Sequence, residues 1–512
     1  MAVPEASITP WLLVTLLIPR LLRIAWPTAW IEDDFYMEAA WMVSVGMRPY
    51  LDFVHPHMPL LEWIAGAWVH VLGASHLTIE ILNESAIYIT SVLVFALGTR
   101  ILSRQTAWCA AILYATSSLV FRYHLYEREC FVAPLVAVAA MTILDDSASR
   151  IRRIAIVAIA LACATLVKLT AGIAVIPILA YAAIVRRRWI DTVAIAAAIS
   201  VTLGAFTLLC WLLYGNEFLF QTFVFHLLKG RDLMALPWLY PLAVLDLQIP
   251  MFVLGCAAIA MQWVRARRGI GLIFSLVGAY WIFFGILSPT SWAHNYLEAL
   301  PFITIVGGAG VTSTVDALFR LFQSTANRGQ FLVRAGLAIG TIAICLVWLS
   351  PLENENSMRG STYGFGFISR TEISAISAAL AQSSRLGDEV IAPSFICFEA
   401  NRRELVRFPE TYGVWRYARD LYDTQGFAAA RRATAPKGFF DLIIETAHYW
   451  RDDMETAIKS GKVSAVILDS PIQLLPLVIP QRLGSDFDKT MSEAGLRPVG
   501  RTDDFMLWQR AP

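Results

Sequence analysis

"AWIEDDFYMEAAWMVSVGMRPYLDFVHPHMPLLEW", residues 29–63, follows the first strongly apolar segment and gathers Glu32, Asp33, Asp34, Glu38 and Asp52. The rest of the chain is short of charge. Its 512 residues are 57% hydrophobic and 16% charged, with a mean hydropathy of +0.58. Soluble domains run nearer ~45–50% apolar and ~25% charged, so the excess reads as lipid-facing surface. A net charge of +1 calls for neither an acidic nor a basic partner and gives no sign of nucleic acid. The seven cysteines are scattered, most of them in apolar runs, and read as small hydrophobes.

A helix needs about 20 apolar residues to cross ~30 Å of hydrocarbon. The chain offers about eleven such stretches, near 9–30, 79–101, 106–121, 131–145, 154–168, 170–185, 190–213, 241–263, 270–287, 296–315 and 335–351. The first is expected to stay as a membrane helix, because no Lys or Arg precedes it and Arg20 and Arg23 interrupt it. Arginines fall in alternate loops: Arg100 and Arg104; Arg150, Arg152 and Arg153; Arg186–Arg188; Arg265, Arg267 and Arg268; Arg320, Arg328 and Arg334. By the positive-inside rule those loops are cytoplasmic. The N-terminus is then inside and the other loops outside, including 31–78, 122–130, 214–240, 288–295 and the tail after 352. All eight histidines lie in this outer set.

The expected fold class is therefore a multi-pass α-helical membrane protein. Residues 1–351 form the transmembrane module, with surface helices in the first outer loop, and 352–512 form an extracytoplasmic α/β domain. In that tail "ISAISAALAQSSRL" has helical periodicity, "DEVIAPSFICF" and "SAVILDS" are strand-like, and "RPVGRTDDFMLWQR" closes like a hairpin.

Several outer-face groups suit chemistry. Asp34 is a fair N-cap for a helix over "FYMEAAWMVSV", with Glu38 a turn on, which would make a capped amphipathic surface helix. Two adjacent acids at that depth also suit a cation or the proton of an attacking hydroxyl. His55 and His57 follow as an HxH pair, a weak metal signal that equally suits interfacial histidines. In "RYHLYEREC", 122–130, Glu127, Arg128 and Glu129 crowd close to hydrocarbon, where charges are costly and are paired or functional. Arg20, Arg23 and Lys168 suit a phosphate if they face a cavity, and otherwise snorkel. His294 is ambiguous alone.

Together these features resemble the integral-membrane, polyprenyl-phosphate-dependent glycosyltransferases of the C-type (GT-C) fold. Protein O-mannosyltransferases, lipid A aminoarabinose transferases and rhizobial galacturonosyltransferases belong to this group. The first loop is similar to the family's acidic pair, surface helix and D-x(3)-P-x-x-P-L run. "YERECF" resembles its second acidic motif, with Cys130 where His is often found, "ATLVKLTAGIAVIPIL" its lysine-containing turn and "HNYLEALPFI" its late His segment. The resemblance covers most of 9–350 and is weak in the tail.

It implies inverting transfer of a hexosyl or pentosyl group from a polyprenyl-phosphate donor to a glycan, lipid or protein acceptor at the outer face of the cell's inner membrane. Asp33 is then the leading acid, Asp34 its partner, and Glu127 or Glu129 the second acid. Arg20, Arg23, Arg128, Lys168, His55, His57 and His294 line the substrates. A divalent cation held by Asp33, Glu127 and Glu129 is compatible with this scheme, though Cys130 counts against metal in the second loop. The alternatives are a transporter or flippase with an outer accessory domain, or a scaffold whose tail binds partners. Transporters place ionisable groups mid-span and show related halves; here the charges sit at outer ends and no repeat is visible.

Overall fold

The structure is a computed structural model that describes residues 9–26, 28–31, 35–117, 119–120, 126–228, 239–261, 269–288, 293–323, 336, 339–340, 342–345, 366–386, 388–405, 409–437, 439–469, 484–501 and 505–510. The chain divides into two compact units, which differ from a single cut near residue 351. One holds Met1–Ala25, Asn83–Thr207 and Leu236–Leu352; the other holds Trp26–Leu82, Leu208–Ala235 and Glu353–Pro512.

The first unit is helical. Helices occupy ten of the eleven apolar stretches; of the last, 335–351, only seven residues are described. Among the described residues four helices are long and apolar enough to cross a membrane: His76–Ile101, Trp189–Leu228, Ile270–Leu287 and Leu300–Phe319. Ile151, Ile159, Ile176, Ile190, Val193 and Val201 are exposed, as suits side chains whose solvent is lipid.

Helix starts are set locally. Ser103 Oγ accepts from the Thr106 amide at 3.1 Å, and Ser149 Oγ from the Arg152 amide at 3.3 Å. Without a hydrophobic drive between helices in lipid, small residues must let backbones approach. "IVGGAG", 305–310, does this: Gly307 faces Met251, and a methyl group on Gly255 would lie 2.1 Å from the Val306 carbonyl oxygen. Two of the arginine-rich loops carry their own counter-charges. Arg153 Nη2 and Arg150 Nε donate to Asp191, each at 2.8 Å, and Arg188 donates to Asp146 at 2.7 Å.

The second unit mixes helices and short strands. β1 (Thr28–Ile31) pairs antiparallel with β2 (Gly366–Ser369), Thr28 opposite Ser369 and Ile31 opposite Gly366. The first loop and the tail are thus one ribbon. β3 (Glu389–Val390) and β4 (Arg403–Glu404) are parallel. β5 (Ala465–Asp469), β6 (Leu496–Arg501) and β7 (Phe505–Arg510) form an antiparallel sheet in the order β5-β7-β6.

Helices Arg370–Ser383, Pro409–Thr434 and Phe439–Lys459 accompany the strands, and Val414, Leu442, Ile458, Val466 and Trp508 share one core with Phe220, Phe225 and Leu228. Of "DEVIAPSFICF", Glu389–Val390 is strand, but "SFICF" belongs to the helix Ser394–Ala400, ended by Asn401 at φ 55°. Its apolar run is buried nearly all round, so alternation carried no information there.

Helix Phe35–Ser44 also departs from the amphipathic surface helix expected of it. Residues 36–42 are all buried, and Glu38, 1% exposed, accepts from the Glu404 amide at 2.9 Å.

Candidate functional site

Lys168 sits where the helix Arg150–Val167 stops. Its backbone is extended (φ −151°, ψ 119°) and a 3₁₀ turn, Leu169–Ala174, follows, so the side chain leaves a helix break inside the first unit. Its ammonium donates to Glu129, from the first turn of Arg128–Leu144, and to Asn295 Oδ1 at 2.7 Å. It ion-pairs with Glu298 Oε1 at 3.1 Å and lies 5.2 Å from the centre of the Phe284 ring. His294 Nε2 is 3.7 Å from the same Glu129 oxygen.

Three of the residues expected to act thus converge: Glu129, Lys168 and His294. Asn295 and Glu298 join them. The sequence signal for Glu298 was an acid in the apolar segment "HNYLEALPFI", four residues after His294.

The other cations of this unit stand apart from the cluster. Arg20, 1% exposed, donates to Glu84 Oε2 at 2.9 Å and to the Ala115 carbonyl. Arg128 donates to the Val167 carbonyl at 3.0 Å, which braces the end of the helix before Lys168. Arg23 is buried. The Glu127 amide donates to Asn83 Oδ1 at 3.1 Å, and its side chain is buried too. Of the two second-loop acids, Glu129 is the one that meets Lys168.

The histidine pair belongs to the second unit. His57 Nε2 shares a 2.7 Å hydrogen bond with the Tyr36 hydroxyl, and His55 Nε2 lies 3.2 Å from Glu62 Oε2, both fully buried. Gln221 clamps this segment by accepting from the His55 amide at 2.8 Å and donating to the Tyr50 carbonyl at 3.0 Å. Tyr50 holds a left-handed backbone (φ 69°), a strained conformation for a bulky residue. The rings of His57 and His226 are 5.5 Å apart.

Asp33 and Asp34 lie outside the described residues. Among the described residues no three His, Cys, Asp or Glu side chains converge as a metal site, so Glu127 and Glu129 find no third ligand there.

Residues 54–211 match the model of a family described as dolichyl-phosphate-mannose-protein mannosyltransferase. The whole chain superposes on ArnT from Cupriavidus metallidurans, solved bound to undecaprenyl phosphate, with a TM-score of 0.62 at 13% identity, covering 99% of this chain and 100% of that one. The chain has the GT-C fold. The AglB oligosaccharyltransferase of Archaeoglobus fulgidus, solved with an inhibitory peptide and a dolichol-phosphate, matches at a TM-score of 0.52 and 12% identity, over 90% of this chain and 69% of that one. No curated protein matches the sequence. At these identities the structural likenesses establish a GT-C, multi-pass helical membrane architecture, and chemistry has to be argued from residues.

Proposed function

We propose that the protein is a glycosyltransferase that moves a sugar, with inversion, from a polyprenyl-phosphate donor to an acceptor at the outer face of the inner membrane. One observation carries this beyond fold. Two buried carboxylates, a lysine and a histidine, the last two only slightly exposed, are gathered in a bundle of apolar helices, where ionisable groups are expensive and mark function. The match over residues 54–211 agrees in chemistry.

In this scheme the donor's isoprenoid chain stays in lipid, so its phosphate and sugar emerge at headgroup depth. The acceptor arrives from water, and its nucleophile must lose a proton there. Asp33 takes that proton or orients the acceptor, with Asp34 beside it in sequence. Arg23, Arg128 and Lys168 are the candidates to offset charge on the leaving lipid phosphate, and His294 and Glu129 stand in Lys168's cluster.

Purified protein incubated with labelled undecaprenyl-phosphate sugars and candidate glycan, lipid or protein acceptors tests the activity. A positioned base contributes about 10²–10⁴-fold, so Asp33→Asn is expected to lose that much rate while inserting and expressing normally. Transfer at the parental rate by Asp33→Asn would reduce the acidic pair to a helix cap.

A further inference from the structure

Helix Arg150–Val167 has Lys168 at one end and a dense group of arginines at the other, about 27 Å away for 18 residues at ~1.5 Å each. Around that far end, residues 145–153 and 186–191 hold six arginines against three aspartates, Asp145, Asp146 and Asp191. The aspartates act as struts. Asp191 accepts from Arg150 Nε and Arg153 Nη2, each at 2.8 Å, and so ties the start of this helix to the start of Trp189–Leu219. Asp146 accepts from Arg186 and, at 2.7 Å, from Arg188, whose Nη1 also donates to the Ile143 carbonyl at 3.3 Å. Asp145 lies 3.6 Å from Arg100.

All three acids are thus engaged, and positive charge is left over. Arg152 and Arg187 are exposed and have no acidic partner among the described residues. Burial, and after it the neighbouring Arg153 charge, pull the Arg188 guanidinium below the ordinary arginine range despite Asp191 and Asp145. Large apolar side chains interleave with these arginines: Ile151, Ile184, Val185, Trp189 and Ile190 are all exposed. Charges that only set topology need no fixed geometry. Here two loops and two helix starts are braced to one another, and the surplus charge stands among apolar groups. The complement of such a surface carries a phosphate and a hydrocarbon chain together.

We propose that this rim is a binding surface for anionic phospholipid in the leaflet at that end of the bundle. The forks of Arg152 and Arg187 donate to the headgroup phosphate, as guanidinium suits bidentate phosphate recognition. The acyl chains lie against Ile151, Trp189 and Ile190. Basic pockets between membrane helices take anionic headgroups in this way. The surface is independent of sugar transfer and of the Lys168 cluster.

The test uses full-length protein in a neutral detergent and measures retained phosphatidylglycerol against phosphatidylcholine of the same acyl chains by native mass spectrometry. The parent is expected to prefer phosphatidylglycerol. Arg152→Gln/Arg187→Gln should cut that preference by about ten-fold or more, as loss of hydrogen bonds to a charged group does. Arg497→Gln/Arg501→Gln removes two exposed arginines from the strand Leu496–Arg501 instead, and should leave the preference within about two-fold. Arg152→Lys/Arg187→Lys keeps both charges, and with them the signal for insertion, but loses the forks. It should cut the preference by about three-fold, the loss of a single hydrogen bond, and keeps the test decisive if the glutamine pair does not insert.

A parent without preference overturns the surface, as does preference retained in both variants of Arg152 and Arg187. Equal loss in the Arg497 and Arg501 control would show net charge at work rather than this rim, and would overturn it too. Displacement of phosphatidylglycerol by inorganic phosphate at matching concentration would make the anion alone the ligand and refute the lipid assignment.

Discussion

Replacing Lys168 by Met keeps a long flexible side chain and deletes the one charge that Glu129, Asn295 and Glu298 share. Nζ donates to Glu129 and, at 2.7 Å, to Asn295, and stands 3.1 Å from Glu298. Removing it leaves two buried carboxylates facing each other. Breaking a buried pair from one side costs about 3–5 kcal/mol, because the abandoned charge stays desolvated. At ~1.4 kcal/mol per decade this is roughly two to three and a half powers of ten in the folding equilibrium.

The loss should be partly recovered by Lys168→Met/Glu298→Gln, with a coupling of about 0.5–3 kcal/mol, since neighbours in one network are not additive. Denaturation in mixed micelles followed by tryptophan fluorescence measures both, the chain having 17 tryptophans. The reasoning is refuted if Lys168→Met unfolds within about 0.5 kcal/mol of the parent, the range of a surface change. A lysine that held donor phosphate while free of carboxylates would give that result, with loss of donor affinity and no loss of stability.

Other perturbations reach the second unit and the topology. Burial pushes the Glu399 carboxyl up, but the hydrogen bond and charge of His76, then the Ser374 hydroxyl, outweigh it and hold the group below the usual glutamate range. Its stabilising contribution is present above the ordinary glutamate pKa of about 4.3 and is lost as pH falls through the lowered folded value. Hydrogen exchange over 370–400 should therefore accelerate in that acid window, and Glu399→Gln should remove this pH dependence. Gly255→Val should prevent the helix Leu239–Met261 from closing on Leu300–Gln323, since even a methyl group would meet the Val306 carbonyl at 2.1 Å; a folded yield equal to the parent's would contradict the close packing. A reporter fused after Val264 should be cytoplasmic and one after Leu352 outside, and the reverse at either point would undo the assignment of the outer face.

Hydropathy and charge are written along the chain, so the sequence by itself determined a multi-pass helical architecture and where ten of its apolar helices lie. It also picked out Lys168, Glu129 and His294, because ionisable groups stand out in apolar surroundings. In the tail, strands at 465–469, 496–501 and 505–510 and the helix at 370–383 lie where periodicity puts them.

Tertiary structure alone decided who neutralises whom. Lys168 finds Glu129 39 residues before it and Asn295 127 residues after it, and no local pattern encodes a pairing across that separation. Arg20, apt for phosphate by residue type, proves to be locked onto Glu84. The strand "TAWI" before the acidic pair finds its partner at 366–369, and "SFICF" coils because its surroundings bury it on every side. Periodicity reports one face of an element and says nothing once both faces are covered. A buried charge is settled by whichever opposite group the fold brings within ~4 Å, and that distance exists only in three dimensions.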